Sequence, residues 1–453
     1  MTYQFNQHIL REYDIRGTIG KNLSAQDALE VGRRFGTWLS QQGESLVCLG
    51  RDGRLSSPEL HAHLTQGLRE AGVTILDIGV GPTPMLYYAV KTTPAFAGIM
   101  ITGSHNPKDD NGFKITLKTR PFFGQAIRDL AHQAFIKSDQ LGDVEHIDVR
   151  ESYVKRLVQD YIKPGKRLKL AWDPGNGAAG EIVELLVQHI DADHIIINSK
   201  IDGNFPNHHP DPSVDKNLEQ LRAVIQEHNC DAGIAFDGDA DRIGVLDEQG
   251  RAFMGDQILM VFAREVLSRL PGAKIIGDVK TSQAFYDLIP ALGGQALMCR
   301  TGHSFVKIMA QEEQAALAGE VSGHIFFSDQ YYGYDDAIYA AVRFINILQG
   351  AGQSCAEIYD QLPVFFSTPE LRIECPDELK FSVIGAMVQD FKARGIDFSD
   401  IDGLRYQDEH GWWLIRASNT QPALVGRCES LTPEGLKALK QNLDENLSKH
   451  FQG

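Results

Sequence analysis

One arrangement of apolar and polar positions occurs three times along the chain. A short apolar run ends at an acid, a stretch with helical period follows, and a second apolar run closes the unit. In the first copy the run over 46–50 leads into Arg51 and Asp52, a helix is expected over 58–70, and the second run covers 73–76. In the second copy the run over 168–172 ends at Asp173, a helix is expected over 181–188, and the second run covers 195–197. In the third copy the run over 274–277 ends at Asp278, a helix is expected over 283–288, and the second run covers 296–299. Strand, helix, strand in that order predicts parallel pairing through right-handed crossovers.

Each copy continues with another helical stretch, a short apolar strand, a polar loop containing glycine, and a further strand. The strands cover 97–101, 232–236 and 315–318, and the loops read TGSHNP (102–107), DGDADR (237–242) and GEVSGH (319–324). Ligands of open α/β sheets bind at the carboxyl ends of strands, so these three loops should face one cleft. The last stretch breaks the pattern. It predicts a strand over 368–374, a helix over 378–394, a hairpin from 403–406 and 412–416, and a closing helix from Thr432 to about His450, with Thr432 and Pro433 as cap and first turn. The expected fold is three similar mixed-sheet α/β domains (1–150, 151–252 and 253–365) plus a smaller α+β domain (366–453) around one cleft. No low-complexity linker separates them, which predicts close packing.

Charge narrows the partners. With 44 basic and 60 acidic side chains the formal net charge is −16, which argues against nucleic acid or an anionic membrane and makes any basic site local. The six cysteines form no CxxC pair, and no histidine stands at zinc-ligand spacing, so reduced thiols are expected. Neither a signal peptide nor a bilayer-length apolar run is visible, which leads to the expectation of a cytoplasmic protein.

The chemistry lies in the loops. Asp237, Asp239 and Asp241 would repel one another unless a hard divalent cation joined them, and oxygen ligands favour magnesium or calcium. An EF-hand is rejected, because Arg242 stands where the sharp turn needs glycine and the flanks read as strands. Ser104 follows a buried strand with no readable base beside it, so it suits a phosphorylated serine better than an activated hydroxyl. Lys114 offers a cation that could stabilise transferring oxygens or move a proton. Arg416, Ser418, Asn419 and Thr420 supply a guanidinium, two hydroxyls and an amide within one turn, a phosphate cradle. The GxGxxG match at 175–180 is read as a tight turn onto a helix, because Asp173 and Pro174 interrupt the strand expected before it.

Taken together these motifs resemble the α-D-phosphohexomutase superfamily, most closely its bacterial phosphomannomutase/phosphoglucomutase branch. The similarity runs over nearly the whole chain, with TGSHNP, DGDADR, GEVSGH and RASNTQP (416–422) in the family's order. The segment 12–17, containing Tyr13 and Arg16, looks like the family's N-terminal active-site segment, and Lys280 and His303 like its third-domain contacts. The resemblance implies a heart-shaped arrangement of four domains, with one Mg²⁺ held by Asp237, Asp239, Asp241 and the Ser104 phosphate. It puts Glu320 and Ser322 on sugar hydroxyls, with Arg16, His105, Lys114, Arg242, Lys280, His303 and His324 nearby. Lys114 and His324, with His303 behind them, are candidates for the general acid/base. Val321 replaces the methionine usual in this branch and the glutamine of phosphoglucosamine mutases.

The implied activity is interconversion of hexose 1-phosphate and hexose 6-phosphate, mannose or glucose, by a monomeric enzyme. It runs through a phosphoserine and a hexose 1,6-bisphosphate that serves as intermediate and activator. Phosphoglucosamine mutase, a sugar phosphatase using Asp237 as nucleophile, and a non-enzymatic binding protein are the alternatives. The fourth domain is expected to clamp the phosphate not being transferred and, having few links to the rest, to be the moving part.

Overall fold

The computed structural model describes residues 3–163, 166–350, 352–418 and 422–451. Its first sheet has six strands in the order Ile15–Thr18, Asp110–Leu117, Ala97–Ile101, Leu46–Arg51, Thr74–Val80, Val144–His146. The last four are parallel, and Asp110–Leu117 runs antiparallel to both of its neighbours. The second sheet orders Ala252–Phe253, Ile243–Asp247, Ala232–Phe236, Leu168–Asp173 and Ala192–Ile196. The third orders Gln295–Cys299, Lys274–Asp278, Leu317–Gly319 and Ile325–Phe327. In all three, a central parallel strand turns back into an antiparallel neighbour, and the polar loop is that turn. The three loops therefore occupy equivalent places. The strands Ala97–Ile101 and Ala232–Phe236 are buried at every residue, which is why they read as apolar runs without alternation.

The acids that end the first strand of each unit have a structural job. Asp52 accepts from the Arg54 amide at 3.0 Å, Asp173 from the Gly175 amide at 2.9 Å, and Asp278 from the Thr281 hydroxyl at 2.9 Å. Each buried carboxylate braces the turn after its strand. The GxGxxG segment is such a turn. The Ala178 amide donates to the Gly238 carbonyl at 2.9 Å, so the segment buttresses the aspartate loop.

A shared core joins the three domains. One continuous apolar cluster takes in Met85 and Met100 of the first domain, Trp172 and Phe236 of the second, and Phe262, Phe327 and Phe344 of the third. The helix Ala337–Gly350 lies within it. The opposite sheet faces have their own clusters, around Phe35 and Leu64, around Leu221 and Ile225, and around Val306 and Phe326.

The fourth domain centres on Ala423–Ser430, a strand outside the sequence expectation. It pairs with Gly411–Ala417 on one side and with Leu371–Glu374 and Phe366–Ser367 on the other. The helices Asp377–Ala393 and Pro433–Ser448 cover Trp413, Ile415 and Leu424. Thr432 caps the second helix through the Gly435 amide, at 3.0 Å.

The expectation of few links to this domain is corrected. Arg405 donates to the Val279 and Thr281 carbonyls (2.6 and 3.0 Å), Arg427 to the Lys280 carbonyl (2.9 Å), and Ser282 to Glu429 (2.7 Å). Trp412 and Leu414 pack on Val279. Buried hydrogen bonds of this kind tie the third and fourth domains together. Among the described residues, no helix is long and apolar enough to cross a membrane, and all six cysteines are free and buried.

Candidate active site

Ser104 adopts φ of +50°, a left-handed conformation that costs an L residue energy unless its surroundings hold it. Arg54 supplies the hold. Its guanidinium is 1% exposed and donates to the carbonyls of Ser104 and Asn106 (both 2.7 Å), Asp110 (2.9 Å) and Pro107 (2.5 Å). Its Nε meets Asp52, which also accepts from the Gly103 amide. One planar fork thus fixes the whole 103–110 turn. No motif marked Arg54 in the sequence, because it acts on carbonyls about fifty positions away. Lysine keeps the charge but not the fork, so Arg54→Lys is expected to lower unfolding free energy by about 2 kcal/mol in a urea titration.

The aspartate loop meets this turn. The Ser104 hydroxyl donates to Asp237 Oδ2 at 3.0 Å, while Asp237 Oδ1 accepts from the Asp241 and Arg242 amides. A Cβ on Gly238 would stand 2.4 Å from the Ser104 carbonyl oxygen, so only glycine lets the two loops approach. Asp237, Asp239 and Asp241 are fully buried and bring one oxygen each within 4.8 Å of the others. Lys114 reaches across from the first sheet to Asp239 at 2.7 Å and Asp241 at 2.5 Å, and Thr83 donates to Asp239.

Burial and the two neighbouring carboxylates push Asp237 well above the usual carboxylate range. Burial also acts upward on Asp239, but the Lys114 ammonium outweighs it and holds that group down. The same contacts outweigh burial at Lys114 and raise its pKa, which makes it a fixed cation here. Asp239 Oδ1 and Asp241 Oδ1 are buried without a hydrogen-bond partner. An all-oxygen set with orphaned buried oxygens fits a hard divalent cation.

Arg16 lies opposite Gly112 in the sheet register, on the face that Lys114 shares two residues on. It donates to the Gly103 carbonyl at 2.8 Å and to Asn106 at 3.2 Å. His105 places Nδ1 3.1 Å from the Ser104 hydroxyl, and burial with Arg242 and Arg16 keeps its pKa well below the usual histidine value.

The third domain faces these groups. His324 is held between two partners, its Nε2 accepting from Arg242 Nε at 3.0 Å and its Nδ1 3.0 Å from Asp335. His303 Nδ1 lies 3.5 Å and Lys307 2.6 Å from the same Asp335, which the sequence reading missed. Burial, more than Lys307, lowers the pKa of His303. Glu320 accepts the Gly302 amide at 2.7 Å with Oε1 and leaves Oε2 buried and unpaired, and burial raises its pKa. Ser322 is half-buried in the same turn, and Lys280 lies 4.0 Å from Asp278. Tyr13 donates to the Thr301 carbonyl at 2.7 Å, and a side chain on Gly302 would strike its ring.

From the fourth domain, Arg416 donates to Asp402 at 2.9 Å and keeps Nη2 buried without a partner. Asp402 also accepts the Thr301 amide, which couples this arginine to the third-domain loop. Ser418 is buried beside it, while Asn419 and Thr420 lie outside the described residues.

Three α/β units that present a serine, a carboxylate trio and an acid-and-histidine loop, with a fourth that presents an arginine, define a phosphosugar-handling enzyme of the mutase type. Comparison with known proteins gives the family. Models of phosphoglucomutase/phosphomannomutase match all four parts: α/β/α domain I over 7–139, domain II over 151–250, domain III over 254–365 and the C-terminal domain over 370–446. The chain is 44% identical over 436 residues to a phosphomannomutase/phosphoglucomutase of Pseudomonas putida, covering 95% of this chain and 94% of the relative. It is 40% identical over 438 residues to a phosphoglucomutase of Neisseria gonorrhoeae, with 95% of each covered. A crystal structure of a phosphoglucomutase/phosphomannomutase family protein from Burkholderia thailandensis superposes with a TM-score of 0.92 at 40% identity, covering 98% of both chains. The chain belongs to the phosphoglucomutase/phosphomannomutase family, whose members are isomerases that interconvert hexose 1- and 6-phosphates.

Proposed function

We propose that the chain isomerises glucose and mannose phosphates by passing a phosphoryl group through Ser104. The observation that carries this reading is the Ser104 hydroxyl, held in a left-handed turn and aimed 3.0 Å from Asp237 at the mouth of a carboxylate trio. In the first half-reaction the bond from Ser104 Oγ to phosphorus breaks and a bond to the free sugar hydroxyl forms, giving a hexose 1,6-bisphosphate. The hydroxyl proton passes to a base on the protein. After the intermediate turns over, its other phosphate returns to Ser104 Oγ and the freed sugar oxygen regains a proton. Mg²⁺ at Asp237, Asp239 and Asp241 would neutralise charge on the phosphoryl oxygens.

The chain's own groups divide the remaining work. Arg16 holds the Gly103 carbonyl beside the serine while paired with Asp14, Arg242 holds His324, and Arg416 offers its unpaired Nη2 to the phosphate that is not transferred. Glu320 has one free buried oxygen for a sugar hydroxyl. Lys114 is committed to two carboxylates, which leaves the histidines beside Asp335, His324 and His303, as the candidate proton carriers.

Mass spectrometry of the intact peptide containing Ser104 tests the reading, with phosphate expected on that residue. His324→Asn is expected to lower kcat about 100-fold in a coupled assay of glucose 6-phosphate formation, as loss of a general acid/base does. Glu320→Ala is expected to cost about 1–3 kcal/mol in kcat/KM for glucose 1-phosphate and mannose 1-phosphate alike, because a site that reads shared hydroxyls treats both sugars equally. Loss for only one sugar would reject shared recognition.

A further inference from the structure

The second-domain segment 199–214 reaches both the chain around Arg54 and the aspartate loop. A side chain on Gly203 would stand 2.6 Å from the Gly53 carbonyl oxygen and 2.7 Å from Arg54 Cα, so the segment lies directly on the backbone that carries Arg54. The Arg54 guanidinium sits over the Phe205 ring, 5.2 Å from its centroid. Further along, Pro210 comes within 3.4 Å of where a Cβ on Gly238 would stand. One segment thus touches the arginine that sets the Ser104 turn and the loop that carries the aspartates.

Such a segment needs an anchor. Phe205 adopts φ of +49°, a left-handed conformation that a bulky residue keeps only under constraint. His208 lies between the two contacts. Its Nε2 is 2.8 Å from Asp173 Oδ2, and its Nδ1 is 3.0 Å from the His209 carbonyl. Both partners are acceptors, and a neutral imidazole has one N–H, so only the imidazolium satisfies both. Asn198 Nδ2 stands 3.4 Å from the same Nε2, but its hydrogens go to Asp173 Oδ1 and Gln220. Asp173 is fully buried, and among the described residues His208 is the cation paired with it. A buried carboxylate left without its cation is costly. Burial acts against the charge on His208, but the bond to Asp173, the charged group that faces the ring, outweighs it and raises the pKa above 6.5.

We propose that His208 is a positioning residue, whose imidazolium latches the segment 199–214 to Asp173 and so holds Arg54 and the aspartate loop in place for transfer. The proposal rests on phosphoryl transfer at Ser104. The latch is whole below pH 6.5, where His208 is charged in any state of the chain, and it is lost as pH rises through the raised pKa of the folded form.

The test compares kcat of the wild type and His208→Gln between about pH 6 and about pH 9. At the acid end the variant is expected to turn over about tenfold more slowly, and at the alkaline end the two should converge. The ratio cancels titrations of substrate and of other groups that both proteins share. A histidine that merely fills space would give one ratio at every pH, and that result overturns the proposal. NMR of the wild type with ¹⁵N-labelled histidine needs no variant to fold. It should show both ring nitrogens of His208 protonated at neutral pH and the ring titrating above 6.5. A ring already neutral at pH 7 overturns the latch. Absence of phosphate on Ser104 together with absence of mutase turnover would remove the phosphoryl-transfer reading instead, and the NMR titration would then support or overturn the latch by itself.

Discussion

Ser104→Ala is expected to lose mutase activity by on the order of 10⁴-fold or more while the fold stays intact, because removal of a covalent nucleophile leaves only binding and electrostatics. The side chain itself does little for stability. Its oxygen touches Asp237 and His105, and nothing in the core rests on it. The left-handed backbone is held through the Ser104 carbonyl, which Arg54 grips at 2.7 Å, and alanine keeps that carbonyl. The variant should therefore melt within a few degrees of the wild type, carry no phosphate on the 102–107 peptide, and still bind glucose 1,6-bisphosphate. A coupled assay, a thermal melt and peptide mass spectrometry check the three parts. Wild-type turnover in Ser104→Ala would sink the phosphoserine mechanism, and a collapsed melting temperature would show that the residue is structural.

The local parts of this arrangement were legible in the sequence. Apolar runs without alternation marked the buried strands, and the three polar loops after them named Ser104, the aspartate trio and Glu320. What stayed hidden depends on distance along the chain. Arg54 controls the serine turn from another strand end, and Asp335 holds His324, His303 and Lys307 together from beyond the sugar loop. Neither belongs to one of the loop motifs, so only the fold reveals its partners. The strand Ala423–Ser430 escaped because it carries Gly426, Arg427 and Glu429 between apolar residues, and those charges are spent on the third domain. The same buried bonds made the fourth domain look detachable in sequence, where interface partners cannot be paired.

Removal of the metal is expected to cut turnover by on the order of 10³-fold, since a divalent cation at a transferring phosphoryl group contributes several kcal/mol. The geometry says how the apo protein should behave. Three buried carboxylates cannot all stay charged and unpaired, and Lys114 already offsets part of their repulsion by bridging Asp239 and Asp241. The fold should therefore survive chelation, and EDTA-treated protein should keep its circular dichroism while losing activity that Mg²⁺ restores. Asp239→Asn removes one charge from the set while retaining its size and a carbonyl oxygen. It should weaken Mg²⁺ at least tenfold by calorimetry, a readout independent of turnover. Lys114→Met gives the opposite case: without the ammonium, the trio lacks its only bridging cation among the described residues, so the apo form should lose stability and regain most of it on adding Mg²⁺. Full activity after exhaustive chelation, or unchanged Mg²⁺ affinity in Asp239→Asn, would remove the metal from these aspartates.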